Sequence, residues 1–285
     1  MSIQKTAVVG GGTMGSGIAH VFALAGCEVV IVEANAALAE KAVAGIGKNM
    51  DRQVAKAVIT AADKDKALAR IKTAVAAEGG AVQYADLIVE AVPENFEIKK
   101  ALFQKLDALC KPEAILASNT SSIPITMLGS ATKRADKVIG MHFMNPVPLM
   151  KLVEIIRGHS TSDATYQAVH EMTLRLGKTP AVSKDFPGFI ANRILMPMIN
   201  EAAFALMEGL STKEDIDTVM KLGMNHPMGP LTLADFIGLD TCVSILEVLH
   251  QGFGDPKYRP CPLLRQLVQA GRLGKKTGRG FYDYN

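Results

Sequence analysis

Apolar and polar positions change their spacing several times along the chain, and each change predicts a different element. Short apolar runs rich in valine and isoleucine predict β-strands at residues 6–9, 29–33, 87–91, 115–118 and 138–141. Segments with helical spacing lie between the first four runs, for example at residues 14–25 and 96–109. Strands that alternate with helices predict an α/β fold with a doubly wound, mostly parallel sheet.

Two segments depart from this simple alternation. Residues 36–70 have helical spacing over a length that exceeds one crossover helix, with a turn near Ile59 and Thr60, and we expect a helical hairpin that projects from the sheet. Residues 151–157 form another apolar run after a turn marked by Pro146 and Pro148. We therefore expect the sheet to finish with an antiparallel pair of strands.

The character of the chain changes at Asp185-Phe186-Pro187-Gly188. Beyond it, helical patterns cover residues 189–208, 213–222 and 231–249. Proline and glycine at a change of pattern indicate a boundary, so we expect a nucleotide-binding domain at residues 1–184 and an all-α C-terminal domain at residues 185–285. The final glycine-rich basic loop, residues 274–282, ends in two aromatic residues, which indicates that it is held against the rest of the chain.

Composition excludes several classes of protein. The chain has 285 residues, of which 48% are hydrophobic, and a formal net charge of +3. No apolar run is long enough for a membrane helix, and the basic residues form no stripe typical of nucleic-acid binding. The chain enters its first strand too early for a signal peptide. Four dispersed cysteines without a C-x-x-C pair favour reduced thiols in a cytoplasmic enzyme that contains no metal.

The most informative motif follows the first predicted strand. Gly10, Gly12 and Gly15 form a G-x-G-x-x-G turn, and Thr13 and Met14 begin the next helix. The first glycine permits a sharp turn, the second allows the backbone to approach a pyrophosphate, and the third allows close packing of helix and strand. Backbone N–H groups at the helix start can bind an anion. The motif predicts a Rossmann-type dinucleotide site, although a glycine-rich βα connection without a ligand is the alternative.

Glu33 strengthens that prediction. It ends the second predicted strand, where a carboxylate would bind the ribose diol of a dinucleotide. Ala34 and Asn35 follow it, so no adjacent cation is available for a 2′-phosphate, and NAD is favoured over NADP. The alternative is a solvated acidic residue at a strand end.

Polar residues at three strand ends are candidates for catalysis. Ser121 follows the strand at residues 115–118, at the edge where open α/β sheets bind ligands, although it could instead cap a helix. His142 ends the next strand and is suited to proton transfer near neutral pH. Glu154 lies on the returning strand, where a hairpin could place it beside His142. Taken singly, His142 would more often be a structural histidine, and Glu154 a solvated strand residue. Asn192 could reach into a cleft or be an exposed residue of a helix's first turn.

These residues together show a resemblance that covers the whole chain. It resembles the short-chain 3-hydroxyacyl-CoA dehydrogenases of the 3-hydroxybutyryl-CoA type. The most specific segments are residues 118–122, the Gly140-Met141-His142-Phe143 run followed by Asn145-Pro146, and residues 187–193.

The resemblance implies a role for each matching residue. It implies a catalytic base at His142, its carboxylate partner at Glu154, and substrate-holding side chains at Ser121 and Asn192. Contacts to the nicotinamide cofactor are implied for Glu33, Glu94, Lys99, Ser121, Asn145 and Lys276. Arg52 and Lys56, four residues apart on one helix face, occupy the positions implied to bind the CoA phosphates.

The implied activity is interconversion of an (S)-3-hydroxyacyl-CoA and a 3-ketoacyl-CoA with NAD(H), by a homodimer that needs no metal. Apolar helical faces after residue 189 would form the dimer interface, or they could be internal core. A dehydrogenase of a free hydroxy or sugar acid on the same two-domain plan is an alternative within enzymes. A catalytically inactive NAD-binding protein is an alternative from another class, and the joint presence of Ser121, His142, Glu154 and Asn192 argues against it.

Overall fold

The computed structural model describes residues 3–75 and 80–284, which divide into two compact units, Met1–Phe186 and Pro187–Asn285. Within the described part of the first unit, eight strands form one sheet in the order β3-β2-β1-β4-β5-β6-β7-β8. The strands are β1 (Lys5–Val9), β2 (Glu28–Glu33), β3 (Ile71–Val75), β4 (Leu87–Glu90), β5 (Ile115–Ser118), β6 (Val138–Phe143), β7 (Leu152–Arg157) and β8 (Thr179–Lys184). Neighbouring strands are parallel except β6 and β7.

Helices flank this sheet, which confirms the predicted doubly wound α/β fold. They are α1 (Thr13–Leu24), α2 (Ala36–Ala55), α3 (Ala61–Ala69), α4 (Phe96–Leu109), α5 (Ile125–Ser130) and α6 (Asp163–Arg175). Strands β4, β5 and β6 are buried at every position, as expected for strands covered on both faces. This burial explains their continuous apolar runs. The parallel pairing of β4 with β5 brings the carboxyl ends of both strands to one edge of the sheet.

The sheet does not finish with the antiparallel β6–β7 pair, as the sequence pattern suggested. Strand β8 lies outside β7 and runs parallel to it, from Thr179 to Lys184. Strand β3 is a second edge strand that the pattern did not predict. Both edge strands are about half exposed, and β8 contains Pro180, which an edge strand tolerates because it needs no N–H there. Edge strands bury too little surface to produce a clear apolar run.

The predicted helical hairpin is α2 and α3, and its turn ends at Thr60. Thr60 caps α3 by accepting from the backbone N–H of Asp63, whose side chain accepts from Thr60 in return. Part of the hairpin packs on the sheet and does not project from it. Ile46 and Met50 of α2 are fully buried in the same hydrophobic core as the sheet. The opposite face of α2 stays exposed.

The described part of the second unit is built from helices joined by loops, and its C-terminal tail has two isolated β-bridges. Its helices are α7 (Ala191–Met207), α8 (Lys213–Thr218), α9 (Pro230–Ile237), α10 (Leu239–Phe253) and α11 (Pro262–Gln269). A π-helical turn, Val219–Gly223, continues α8. The sequence pattern treated residues 231–249 as one helix, but Gly238 at φ +105° separates α9 from α10. Helical spacing of apolar residues lies on both sides of Gly238, so the sequence pattern gives no sign of this break.

The basic tail at the C-terminus is held as predicted. The buried carboxylate of Asp235 accepts hydrogen bonds from the backbone N–H groups of Phe281 and Tyr282, both at 2.9 Å. The hydroxyl of Tyr282 lies 3.1 Å from the carboxylate of Asp217. Among the residues described, no helix has the combination of length and apolar surface that a bilayer crossing requires.

Candidate active site

The glycine turn between β1 and α1 has the geometry that each glycine was predicted to supply. Gly10 has φ +94°, and a Cβ built on it would lie 2.7 Å from the carbonyl oxygen of Ala91. A Cβ on Gly15 would lie 1.7 Å from the carbonyl oxygen of Gly10. A Cβ on Gly12 would meet nothing within 4 Å. The first and third glycines are therefore required by packing, whereas the second faces open space.

Glu33 lies at the end of β2 and faces this turn. One of its carboxylate oxygens accepts from the N–H of Gly11 at 2.5 Å, and the other accepts from the N–H of Ala34 at 2.9 Å. A cavity of about 700 Å³ adjoins the turn and Glu33. Its lining includes Gly10, Gly12, Thr13, Met14, Glu33 and, from α4, Lys105. The sequence reading did not identify Lys105.

This cavity fits NAD on two observations. Open space at Gly12 leaves room for a pyrophosphate against the backbone, and the N–H groups at the start of α1 could donate to an anion bound there. Glu33 presents a carboxylate at the place where a ribose diol would donate.

A second group of polar side chains lies where β5, β6 and β7 meet. Strands β6 and β7 pair His142 directly opposite Glu154. Nδ1 of His142 lies 3.1 Å from Oε2 of Glu154, and Nε2 lies 3.1 Å from Oγ of Ser121. His142 is 6% exposed and Glu154 is 1% exposed. We refer to Ser121, His142 and Glu154 as the imidazole cluster.

This geometry defines what the imidazole can do. A ring that donates its Nδ1–H to the carboxylate presents the lone pair of Nε2 to a hydroxyl group. The carboxylate would also stabilise the imidazolium formed when Nε2 accepts a proton. The imidazole cluster therefore has the parts of a general base.

Glu94 holds the loop that carries Ser121. Its Oε1 atom accepts from the backbone N–H groups of Ser121 at 3.0 Å and Ser122 at 3.1 Å, and from the hydroxyl of Thr120 at 2.5 Å. Burial alone would raise the pKa of Glu94, but Lys99 and the hydroxyl donors outweigh burial and lower that pKa. The carboxylate is therefore ionised at neutral pH.

Lys99 is 1% exposed, and its ammonium group contacts two carboxylates. Nζ lies 2.5 Å from Oε1 of Glu90 and 3.2 Å from Oε2 of Glu94. Asn145, by contrast, is an exposed residue just beyond β6. The predicted contacts of Glu94, Lys99 and Asn145 with a cofactor stay predictions.

The remaining predicted residues lie elsewhere. Arg52 and Lys56 are exposed at the C-terminal end of α2. In the second unit, Asn192 is in the first turn of α7 and is 8% exposed. Lys276 lies in the basic tail, with its Nζ 2.6 Å and 2.7 Å from the two carboxylate oxygens of Asp240. Their predicted substrate and cofactor contacts stay predictions.

Three buried residues around the imidazole cluster were given no individual role by the sequence patterns, although Ser118 and Asn119 belong to the polar segment 118–122 that they indicated. Glu90 ends β4, Ser118 ends β5, and Asn119 accepts from the backbone N–H of Phe143 through its Oδ1 at 2.8 Å. A signal for Glu90 was present, because it is an acidic residue at the end of an apolar strand, as Glu33 is.

The cysteines lie in the core and offer no competing chemistry. Burial raises the pKa of the Cys110 thiol to about 11 and that of Cys242 to about 12. These thiols are protonated at neutral pH and are poor nucleophiles.

Comparison with known proteins gives consistent results over the full length. Residues 5–186 match the model of the 3-hydroxyacyl-CoA dehydrogenase NAD binding domain, and residues 188–284 match the model of the C-terminal domain of the same family. The chain is 57% identical to 3-hydroxybutyryl-CoA dehydrogenase of Bradyrhizobium diazoefficiens, over 99% of this chain and 96% of that protein. It is 43% identical to human mitochondrial hydroxyacyl-coenzyme A dehydrogenase, over 99% and 91% of the two chains.

A solved structure agrees with these sequence matches. The crystal structure of (S)-3-hydroxybutyryl-CoA dehydrogenase from Ralstonia eutropha superposes with a TM-score of 0.97 at 51% identity, and the match covers 100% of both chains. The NAD binding domain identified by the family model contains the glycine turn and Glu33, which confirms NAD as the cofactor. The chain belongs to the 3-hydroxyacyl-CoA dehydrogenase family.

Proposed function

We propose that this protein interconverts (S)-3-hydroxybutyryl-CoA and acetoacetyl-CoA with NAD(H), and that the imidazole cluster moves the proton. The observation that carries the proposal is the position of His142 between two partners, each 3.1 Å away, with Glu154 on Nδ1 and Ser121 on Nε2. The relatives named 3-hydroxybutyryl-CoA dehydrogenase support the choice of substrate.

In the direction of oxidation, Nε2 of His142 accepts the proton of the 3-hydroxyl group while the C3–H bond breaks. NAD supplies the acceptor for the hydride that leaves C3. Glu154 stabilises the imidazolium, and the hydroxyl of Ser121 donates to the substrate oxygen as the C–O bond gains double-bond character. In the reverse direction, the imidazolium returns the proton to the oxygen.

Recognition of the CoA portion is assigned to Arg52 and Lys56. Both are exposed at the end of α2, and their spacing puts both cations on one helix face. Phosphate groups bind such cations as point charges or through bidentate hydrogen bonds.

The proposal is tested by following loss of NADH absorbance with acetoacetyl-CoA and, in parallel, with acetoacetate. We expect turnover of the thioester and at least about a hundredfold lower kcat/KM for the free acid, because the acid lacks the phosphates that provide remote binding energy. Equal use of the two substrates would contradict the CoA assignment. Absence of turnover with either substrate would contradict the proposed reaction.

A double variant tests the proposed contact with CoA separately. Arg52→Ala/Lys56→Ala should raise KM for acetoacetyl-CoA by about tenfold, since two charge-assisted contacts are lost, with kcat unchanged. A matched control is Lys133→Ala/Lys257→Ala, which removes two exposed positive charges at other sites. Equal increases of KM in both double variants would show that net charge, not a phosphate site, is responsible.

A further inference from the structure

The buried ion pair between Glu90 and Lys99 lies beneath the loop that carries Ser121. Glu90 is 0% exposed and Lys99 is 1% exposed. Removing two charges from water carries a large desolvation cost, and an apolar pair of the same volume is often as stable. Stability is therefore a weak explanation for this pair, and its hydrogen-bond partners indicate another one.

The two oxygens of Glu90 bind different loops. Oε1 accepts from Nζ of Lys99 at 2.5 Å and from the backbone N–H of Val92 at 2.7 Å. Oε2 accepts from the hydroxyl of Ser118 at 2.6 Å, and that hydroxyl accepts from the backbone N–H of Thr120 at 3.2 Å. The single carboxylate thus connects the segment after β4 with the segment after β5.

Lys99 links Glu90 to Glu94, which binds a second part of the same loop. Its Nζ lies 3.2 Å from Oε2 of Glu94, whose Oε1 accepts from the backbone N–H groups of Ser121 and Ser122. Residues 120–122 are therefore held at two places. Ser118 binds the backbone of Thr120, and Glu94 binds the backbone of Ser121 and Ser122. Both routes begin at Glu90.

We infer that Glu90 is a positioning residue that sets the place of the Ser121 hydroxyl relative to Nε2 of His142. The inference deepens the proposed function and rests on it. Glu90 does not contact the reacting atoms. It acts through Lys99 and Glu94 on one route, and through Ser118 on the other.

The isosteric change Glu90→Gln removes the charge that holds Lys99 and keeps the side-chain volume. Of the two carboxylates that contact the Lys99 ammonium, Glu94 alone keeps its charge in this variant. We expect Glu94 to move toward Lys99 and away from the backbone N–H groups of Ser121 and Ser122. Because a shift of a catalytic group by about 1 Å can cost as much as a hundredfold in rate, we expect kcat to fall about 10- to 100-fold. KM for acetoacetyl-CoA should change less than about twofold, since the lost interaction is made in the transition state.

A double-mutant cycle with Ser121→Ala tests whether Glu90 acts through Ser121. In the Ser121→Ala background, Glu90→Gln should lower kcat by less than about twofold, since the group that it positions is absent. Should Glu90→Gln prevent folding, Ser118→Ala removes just one route, and its smaller effect on kcat should also vanish in the Ser121→Ala background.

Asp107→Asn is the matched control. Asp107 forms a partly buried ion pair with Arg134 at 2.6 Å, in the same unit and outside the imidazole cluster. This variant should lower Tm, leave kcat unchanged, and act alike in both backgrounds. The inference would be overturned if Glu90→Gln lowered kcat equally in the wild-type and Ser121→Ala backgrounds, or if it left kcat unchanged. The proposed function would still be upheld in that case, provided that the wild-type enzyme turns over acetoacetyl-CoA. Absence of wild-type turnover would overturn both.

Discussion

The glycine turn and the imidazole cluster both lie in the first unit, and they are built in opposite ways. The turn depends on the absence of side chains, because Cβ atoms on Gly10 and Gly15 would overlap backbone atoms. The cluster depends on side chains that meet at buried positions, with His142 between Ser121 and Glu154. The glycine turn is formed by the backbone of consecutive residues. The imidazole cluster is made of hydrogen-bonded side chains from separate strands and loops.

This difference predicts that the two regions fail separately. Changes in the turn should affect cofactor binding and folding, whereas changes in the cluster should affect turnover. The predicted effects below run from the largest to the smallest.

His142→Ala should lower kcat by about 10²–10⁴-fold, because the variant lacks the proposed proton acceptor. NADH binding, followed by fluorescence titration, should change little, since the glycine turn is intact. His159→Ala provides the control, as His159 is an exposed histidine of the same unit. A His142→Ala enzyme with near-normal turnover would exclude His142 as the base.

Gly15→Ala should destabilise the first unit by about 1–3 kcal/mol or more, as expected when extra volume meets atoms that cannot move away. The built Cβ lies 1.7 Å from a backbone oxygen, so no side-chain rotation can relieve the overlap. Urea unfolding measures the loss. An unchanged midpoint would show that the turn is less tightly packed than its geometry indicates.

Gly12→Ala separates binding from folding within the same turn. The added methyl group meets no protein atom within 4 Å, and Gly12 has φ −63°, which alanine adopts freely. Stability should therefore stay constant. The dissociation constant of NADH should rise at least about tenfold, or about 1.4 kcal/mol, because the methyl group would occupy the space predicted for the pyrophosphate. Equal binding by wild type and variant would remove Gly12 from the cofactor site.

The acid stability that Glu94 contributes by holding the Ser121 loop provides the smallest effect. The pKa of Glu94 is lowered in the folded protein, because Lys99 and hydroxyl donors outweigh burial. Its contribution to stability is present above its unfolded pKa of about 4.3 and is lost as pH falls through the lower folded value. The free energy of unfolding of Glu94→Gln should therefore fall less between pH 5 and pH 3 than that of wild type, by about a few tenths of a kcal/mol, since the side chain is partly exposed. Parallel pH profiles would contradict this role.

Particular residues show how far sequence reasoning reaches. The register of Gly10, Gly12 and Gly15 predicted the turn, because a local backbone conformation depends on neighbours in the chain. The hairpin of α2 and α3 was predicted for the same reason, through Thr60 and the length of the pattern. The edge strands β3 and β8 were missed, since half-exposed strands carry polar residues and produce no apolar run.

The buried network under the imidazole cluster was also missed. Glu90 and Lys99 are nine residues apart in the chain, and Ser118 lies 28 residues from Glu90. No spacing rule relates them. They meet because β4 and β5 are adjacent in the sheet and pair Glu90 with Ser118 in register.

By itself, the sequence determined the glycine turn between the first strand and the first helix, the alternation of strands and helices, and the residue types that could exchange a proton. The tertiary structure decided which strand ends became neighbours, that β8 extends the sheet beyond β7, and that one buried carboxylate connects two loops. The physical reason is the range of the interactions. Backbone conformation is governed by adjacent residues, whereas burial and strand pairing join residues that the order of the chain leaves far apart.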